Sequence, residues 1–273
     1  MTASGQLFIA QSTLSRHIQS MEEELGVSLF DRNTRSISLS EFGAAFLLYA
    51  QKIVDLEAQY QYDLYNYKRK ISGALSIGSI PSMSQYRITE LFSRFHQQYP
   101  DYALDIVEGD STELVEQLDV GKLDLSFIRV SADTEIDERF EQITYAMDQL
   151  AAIVPKAHRL AARQSLHIND LKGETLLLLA SDTFMFQLCV AACQSCHFEP
   201  KVGFTGHRDD NILAMVAEGF GVALLTQNPV QDKLNERMVM IPIEPKIETA
   251  IKLIYRKDKK LGEQAKRFIA LVQ

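Results

Sequence analysis

The stretch Gln11-Ser12-Thr13-Leu14-Ser15-Arg16-His17-Ile18-Gln19-Ser20-Met21-Glu22-Glu23-Glu24-Leu25-Gly26 decides the reading of the chain. Its large apolar residues, Leu14, Ile18, Met21 and Leu25, are spaced four, three and four apart. That spacing places them on one stripe of an α-helix. Gly26 follows at once and ends the helix. Gln11, Ser12, Thr13, Ser15, Arg16 and Gln19 share the outer face near the N-terminal end. These residue types hydrogen-bond base edges and phosphates, and that end of a recognition helix is the one that enters a major groove. The plainer alternative is an amphipathic helix with a solvated face, and on this helix alone both readings stand.

The residues that follow narrow the choice. Val27-Ser28-Leu29-Phe30-Asp31-Arg32 leads into Asn33-Thr34-Arg35-Ser36-Ile37-Ser38-Leu39-Ser40-Glu41-Phe42-Gly43. Leu14-Ser15-Arg16, Glu22, Leu25-Gly26, Leu29-Phe30, Arg32 and Leu39-Ser40 with Gly43 match, in order and spacing, the winged helix-turn-helix that this segment resembles, that of LysR-type transcriptional regulators. The resemblance implies a β-wing after the recognition helix, with Arg32 and Arg35 flanking it and reaching phosphate. It also implies a first helix and part of a second ahead of Thr2, about twenty residues, to brace the recognition helix. The start codon is therefore expected to be assigned late. The alternative is a truncated regulator with impaired DNA binding. The family more often has Ser or Thr where Ala10 stands, so the helix is expected to begin near Ser12.

Residues 1–70 hold seven Lys/Arg and eight Asp/Glu, so the head is not a basic coat and its few cations must act by position. From Ser40 to about residue 70 the chain reads as one long helix. Phe42, Phe46, Tyr49, Ile53, Leu56 and Tyr60 recur at alternating four and three, close to a heptad seam. Such a stripe needs a partner. The resemblance implies a homodimer, with a tetramer as its further assembly, spacing two recognition helices over a two-fold operator. Residues 71–73 are the expected hinge.

Beyond Gly73 strands and helices alternate at βαβ spacing: Ala74 to Gly78, a helix over 84–99, Tyr102 to Val107, a helix from Ser111, and Leu123 to Ile128. Leu150 to Pro155 is the expected crossing into a second lobe, and the chain returns through Met238–Ile243 and Ala250–Tyr255. The expected fold is α/β. A partial winged helix-turn-helix over 1–40 is followed by a linker helix over 41–70. A two-lobed effector domain like the periplasmic binding proteins follows, with one lobe from 73–154 and 226–273 and the other from 155–225. Ligands of such sheets bind beyond the carboxyl ends of the strands, where helix N-termini present free N–H groups. Ser79, Ile80, Ser82, Ser111, Arg129, Phe184, Phe204 and His207 are the expected effector-binding residues. Their hydroxyls and helix ends suit a small anion.

The chain has 273 residues and a net charge of −8. No run of about 18 apolar residues is present to span a membrane, and Met1-Thr2-Ala3-Ser4-Gly5 has no signal-peptide character. A cytoplasmic location is expected. Cys189, Cys193 and Cys196 are expected as packed thiols, with no metal and no cofactor. No phosphate loop, nucleophile elbow or His-Glu-x-x-His occurs, so no catalytic residue is assigned. The expected partners are double-stranded DNA, a small-molecule effector and a second copy of the chain. A soluble solute-binding protein is the competing reading.

Overall fold

The computed structural model describes residues 11–33, 36–72 and 74–273. The expectations placed on Thr2 to Phe8, on Arg35 and on Gly73 lie outside the described residues. The chain divides into two compact units, residues 1–64 and 65–273.

In the first unit, α1 spans Gln11–Leu25. Gly26 ends it at φ 71°, a left-handed conformation that glycine adopts without a Cβ clash. Strands β1 (Phe30–Asn33) and β2 (Ser36–Leu39) pair antiparallel, Phe30 opposite Leu39, and form the expected wing. Helix α2 spans Glu41–Ser72, two residues past the expected end. Three residues, Glu22, Ser40 and Gly43, fix the wing locally. The Glu22 carboxylate accepts the backbone N–H groups of Leu29 at 2.8 Å and Phe30 at 3.2 Å. Ser40 caps α2, its Oγ accepting Gly43 N–H at 2.8 Å and donating to the Ser28 carbonyl at 2.6 Å. Gly43 then passes so close to Leu29 that a Cβ there would lie 1.9 Å from the Leu29 carbonyl oxygen.

The second unit is built on β3 (Leu75–Ser79), α3 (Ile88–Gln98), β4 (Leu104–Glu108), α4 (Ser111–Asp119), β5 (Leu125–Ser131) and β6 (Phe140–Pro155). Then come β7 (Thr175–Leu179), α5 (Phe184–Ser195), β8 (Lys201–Gly206), α6 (Asp209–Ala217), β9 (Val222–Thr226) and α7 (Gln227–Gln231). Strands β10 (Met238–Pro242) and β11 (Glu248–Arg256) and helix α8 (Glu263–Val272) complete it. Among the described residues the strands of this unit form one nine-stranded sheet in the order β4-β3-β5-β11-β6-β9-β7-β8, with β10 paired to β6. Pairing is parallel among β4, β3 and β5 and among β8, β7 and β9, as expected of βαβ units. The long strands β6 and β11 join these halves antiparallel.

Each half has its own core. The first gathers Ile77, Phe92, Phe95, Leu114, Phe127, Ile254 and Phe268, with ring centroids of the four phenylalanines 5.4–6.5 Å apart. The second lobe packs around Leu150, Leu176, Cys189 and Leu224 on one side of its sheet and around Ile153, Ile212, Val216 and Leu225 on the other. Val230, Met238, Ile241 and Ile243 also pack in this second lobe. The return to the first lobe therefore falls near Glu248 and not at the expected residue 226, because β10 pairs with the far half of β6.

Two boundaries differ for physical reasons. The helix expected from residue 84 begins at Ile88, after Arg87 in a left-handed conformation at φ 58°. Residues 81–87 are turns, bonded Met83 N–H to Ile80, Gln85 to Ser82 and Arg87 to Ser84. The turns send Tyr86 inward, where it is buried. Strand β5 runs on to Ser131, so Arg129 lies inside it and not at its end.

Candidate functional site

In α1, Ser12, Ser15, Arg16 and Gln19 are exposed and Thr13 is half-buried. Gln19 Nε2 donates to Glu23 Oε1 at 3.0 Å. Leu14 and Ile18 are half-buried, while Met21 and Leu25 remain exposed. The side chains of Gln11 and Arg32, like Arg35, lie outside the described residues.

Between the lobes of the second unit lies a cavity of about 640 Å³. Six of the eight expected effector residues line it: Ile80, Ser82, Ser111, Arg129, Phe184 and His207. Ser79 and Phe204 do not. Ser79 is still in the sheet, opposite Glu108 and Phe127, and its buried Oγ has no hydrogen-bond partner among the described residues. Phe204 is inside β8, packed beside Gly206 and against the second lobe's core. Both differ from the expected loop positions because the strands run further than their apolar runs alone indicate.

Arg129 is 5% exposed and is hydrogen-bonded through both Nη atoms and its backbone N–H. It donates from Nη1 to Thr249 Oγ1 at 3.0 Å and from Nη2 to Tyr86 Oη at 2.7 Å and Ser82 Oγ at 3.4 Å. Its backbone N–H donates to Ser111 Oγ at 2.9 Å. The Asp148 carboxylate completes the cluster, 4.0 Å from Arg129 Nη1 and accepting from Tyr86 Oη. Burial, with Asp148 adding to it, pushes the Tyr86 phenol well above its usual range, against the pull of Arg129. Asp148 also accepts the backbone N–H groups of Gln227 at 3.1 Å and Asn228 at 3.2 Å. The cluster thus ties the first lobe to the second through buried, mutually satisfied charges.

A second tie crosses the cavity. Asp110 caps α4 by accepting Thr112 N–H at 3.1 Å, and its carboxylate also accepts the N–H of Phe184, the first residue of α5. Thr183 caps α5, accepting Phe186 N–H at 3.2 Å. Helix α6 starts differently. Its N-cap is Arg208, which makes no side-chain cap, and Asp209 and Asp210 fall in the first turn.

The charge of the lining is mostly negative. Glu108, Asp110, Glu113, Asp182, Asp209 and Asp210 face Arg129, Arg208 and Lys233. Sequence reasoning missed Tyr86, Asp148, Thr249 and Asp209. The available signal was Asp148, a lone carboxylate just before the apolar run Leu150–Val154, where an unpaired charge is costly.

The cysteines sit on α5 and at its end, all as free thiols. Cys189 and Cys193 are buried, and burial pushes the Cys193 thiol up to about 11 and Cys189 higher still. A thiolate is the reactive form, so these two are poor redox sensors. Among the described residues no cluster of three or more His, Cys, Asp or Glu is placed to hold a metal ion, and no helix is long and apolar enough to cross a membrane.

A DNA-reading head and a two-lobed ligand domain with a cavity at the cleft define a ligand-responsive regulator. The family description "LysR substrate binding domain" matches residues 68–273, and "Bacterial regulatory helix-turn-helix protein, lysR family" matches residues 1–44. The chain belongs to the LysR family of DNA-binding transcriptional regulators with an effector-binding domain. It is 29% identical over 268 residues to the transcriptional dual regulator GltC of Bacillus subtilis, covering 96% of this chain and 87% of that one. It is 26% identical over 256 residues to the DNA-binding transcriptional dual regulator OxyR of Escherichia coli, covering 93% and 83%. The crystal structure of a mutant of full-length BenM shares the fold with a TM-score of 0.64 at 24% identity, over 97% of this chain and 87% of that one. Both GltC and OxyR are transcriptional dual regulators.

Proposed function

We propose that the chain reads double-stranded operator DNA as a dimer through α1 and senses a small molecule in the cleft cavity. The observation that carries the reading is the exposed polar side of α1, with Ser12, Ser15, Arg16 and Gln19 on it, beside a wing pinned by Glu22. Thr13 and Gln11 belong to the same end of that helix, and Arg32 and Arg35 would reach flanking phosphates.

The dimer reading rests on α2. Phe42, Tyr49, Ile53, Leu56 and Tyr60 are all exposed in the single chain, Tyr49 and Ile53 by about two thirds. An antiparallel copy of the same helix would cover them under two-fold symmetry and give the paired heads a fixed half-site spacing. Dimers of dimers would extend the same arrangement to a tetramer. A ligand that binds one relative placement of the lobes better than another shifts their equilibrium, and so the DNA contacts.

The test is anisotropy of a labelled duplex taken from the region upstream of the chain's own gene. Arg16→Ala is expected to weaken binding by about 1–3 kcal/mol and to flatten the salt dependence. No affinity of the intact chain at low salt, together with retained ligand binding, would instead make it a small-molecule-binding protein.

A further inference from the structure

We propose that the ligand of the cleft cavity carries a positive charge, an ammonium or guanidinium group, and that Asp209 receives it. This rests on the reading of the cavity as the effector site.

Helix N-termini and cations around a cleft ordinarily point to an anion. Here most of those groups are engaged from within the chain, and the one uncapped head, that of α6, carries two carboxylates, Asp209 and Asp210, in its first turn. The head of α4 is capped by Asp110, and the first N–H of α5 is bonded to that same carboxylate. The backbone N–H groups of Gln227 and Asn228 go to Asp148. Arg129 is engaged by Thr249, Tyr86, Ser82 and Asp148. Arg208 and Lys233 both converge on Asp210, at 3.3 and 2.8 Å. An anion at Arg129 or at the heads of α4 and α5 would compete with a tethered carboxylate, Asp148 or Asp110, and one at Arg208 or Lys233 would lie beside Asp210.

The groups left over have the opposite sign. Asp209 lines the cavity and is half-buried, and its carboxylate makes no hydrogen bond or ion pair among the described residues. Burial raises its carboxyl above the usual range, only partly opposed by Lys233 and Arg129. A desolvated carboxylate without a partner is a standing cost of the fold, and a ligand cation removes it. Asp182 and Glu108 stand exposed on the same lining, also without hydrogen-bond partners among the described residues, and add to the negative potential that draws a cation in. The unoccupied chemistry of the cavity is therefore that of a receptor for an amine.

The experiment uses the intact chain and five probes of similar size: L-arginine, L-lysine, 1,5-diaminopentane, glutarate and benzoate. Binding is followed by thermal shift and calorimetry in wild type, D209N and H207W. His207 is exposed on the lining, so Trp there narrows the cavity without entering a core. At least one of the three amines is expected to raise the melting temperature of wild type. D209N is expected to weaken that amine by roughly tenfold to a hundredfold, the loss of one charge-assisted hydrogen bond, and H207W to weaken it as well. D209N is also expected to melt no lower than wild type without ligand, so weaker binding is separable from misfolding. Glutarate or benzoate binding in an H207W-sensitive way, with the amines silent, would overturn the cationic ligand and leave the cavity as the effector site. Amine binding indifferent to both substitutions would overturn both readings. Silence of all five probes would count against the amine, and an unaltered regulatory response of H207W in cells would then remove the cavity reading too.

Discussion

The carboxylate of Asp110, at the head of α4, accepts the backbone N–H of Phe184, the first residue of α5, at 3.2 Å. One side chain therefore caps a helix of the first lobe and holds the start of a helix of the second. Asp110→Ala is expected to cost about 1–3 kcal/mol, the cap plus a charge-assisted bond. Asp110→Asn keeps an acceptor for Thr112 and is expected to cost less. Urea unfolding gives both values, and faster amide exchange at Phe184 in either variant would mark the lost inter-lobe bond.

Asp148 and Arg129 form a buried pair in which each has further partners. Asp148→Ala strands the guanidinium and leaves the N–H groups of Gln227 and Asn228 without their acceptor. A loss of about 3–5 kcal/mol is expected in a urea melt. Combining R129M with D148L removes both charges at similar volume, and the pair is expected to recover most of that loss. A double variant as unstable as Asp148→Ala alone would show that the cluster acts through its hydroxyl and backbone partners.

Gly43→Ala tests the wing. The added Cβ meets the Leu29 carbonyl oxygen at 1.9 Å, a backbone atom that cannot rotate away. Either α2 or the turn at Leu29 must shift, with an expected cost of at least about 1–3 kcal/mol. Limited proteolysis near residues 27–40 is expected to accelerate, and DNA affinity to fall, while ligand binding to the second unit stays as it was.

Asp209 makes stability depend on pH in an unusual sense. Burial raises its folded-state pKa above the unfolded value of about 3.9. The native state then binds the proton more readily than the unfolded one, so stability falls as pH rises through the folded pKa. The penalty is complete above that value and absent below about 3.9. Lys233 and Arg129 oppose the shift, Asp210 adds to it, and the N-terminal end of α6 favours the charge. Asp209→Asn is therefore expected to be more stable than wild type at neutral pH, with the difference shrinking as pH falls towards 4. Parallel stability curves for the two proteins across that range would show that Asp209 titrates normally.

Much of this is legible in the sequence. Leu14, Ile18, Met21 and Leu25 announce α1, Gly26 its end, and the seam from Phe42 to Tyr60 the long helix, because helical periodicity is local. The alternation that marks βαβ units locates β3, β4 and β5 of the first lobe within a few residues. What periodicity does not show is where strands stop. Phe204 and Arg129 read as the ends of their strands, yet the ladder continues past them. The segment from Pro81 to Arg87 has no helix breaker after its first residue, but Tyr86 is pulled inward by Asp148 and Arg129, 62 and 43 positions away. Such pairings belong to tertiary structure, and they also decide the charge of the cavity. Hydroxyls near helix ends suggest an anion; only the three-dimensional pairing reveals that aspartates of the chain itself have taken those positions.

Strand β6 carries one further implication. It pairs with β11 up to Gln149, with β9 from Leu150 and with β10 from Ala151, so both walls of the cleft hang from one strand. Its ladder with β11 shifts register once, between Ile251 and Lys252, leaving Tyr145 as one extra residue on β6. A bulge absorbs such a residue locally, so the ladder resumes beyond it and carries Asp148 on to the crossing. Across homologous chains, single-residue changes in the length of this strand should therefore collect at that bulge.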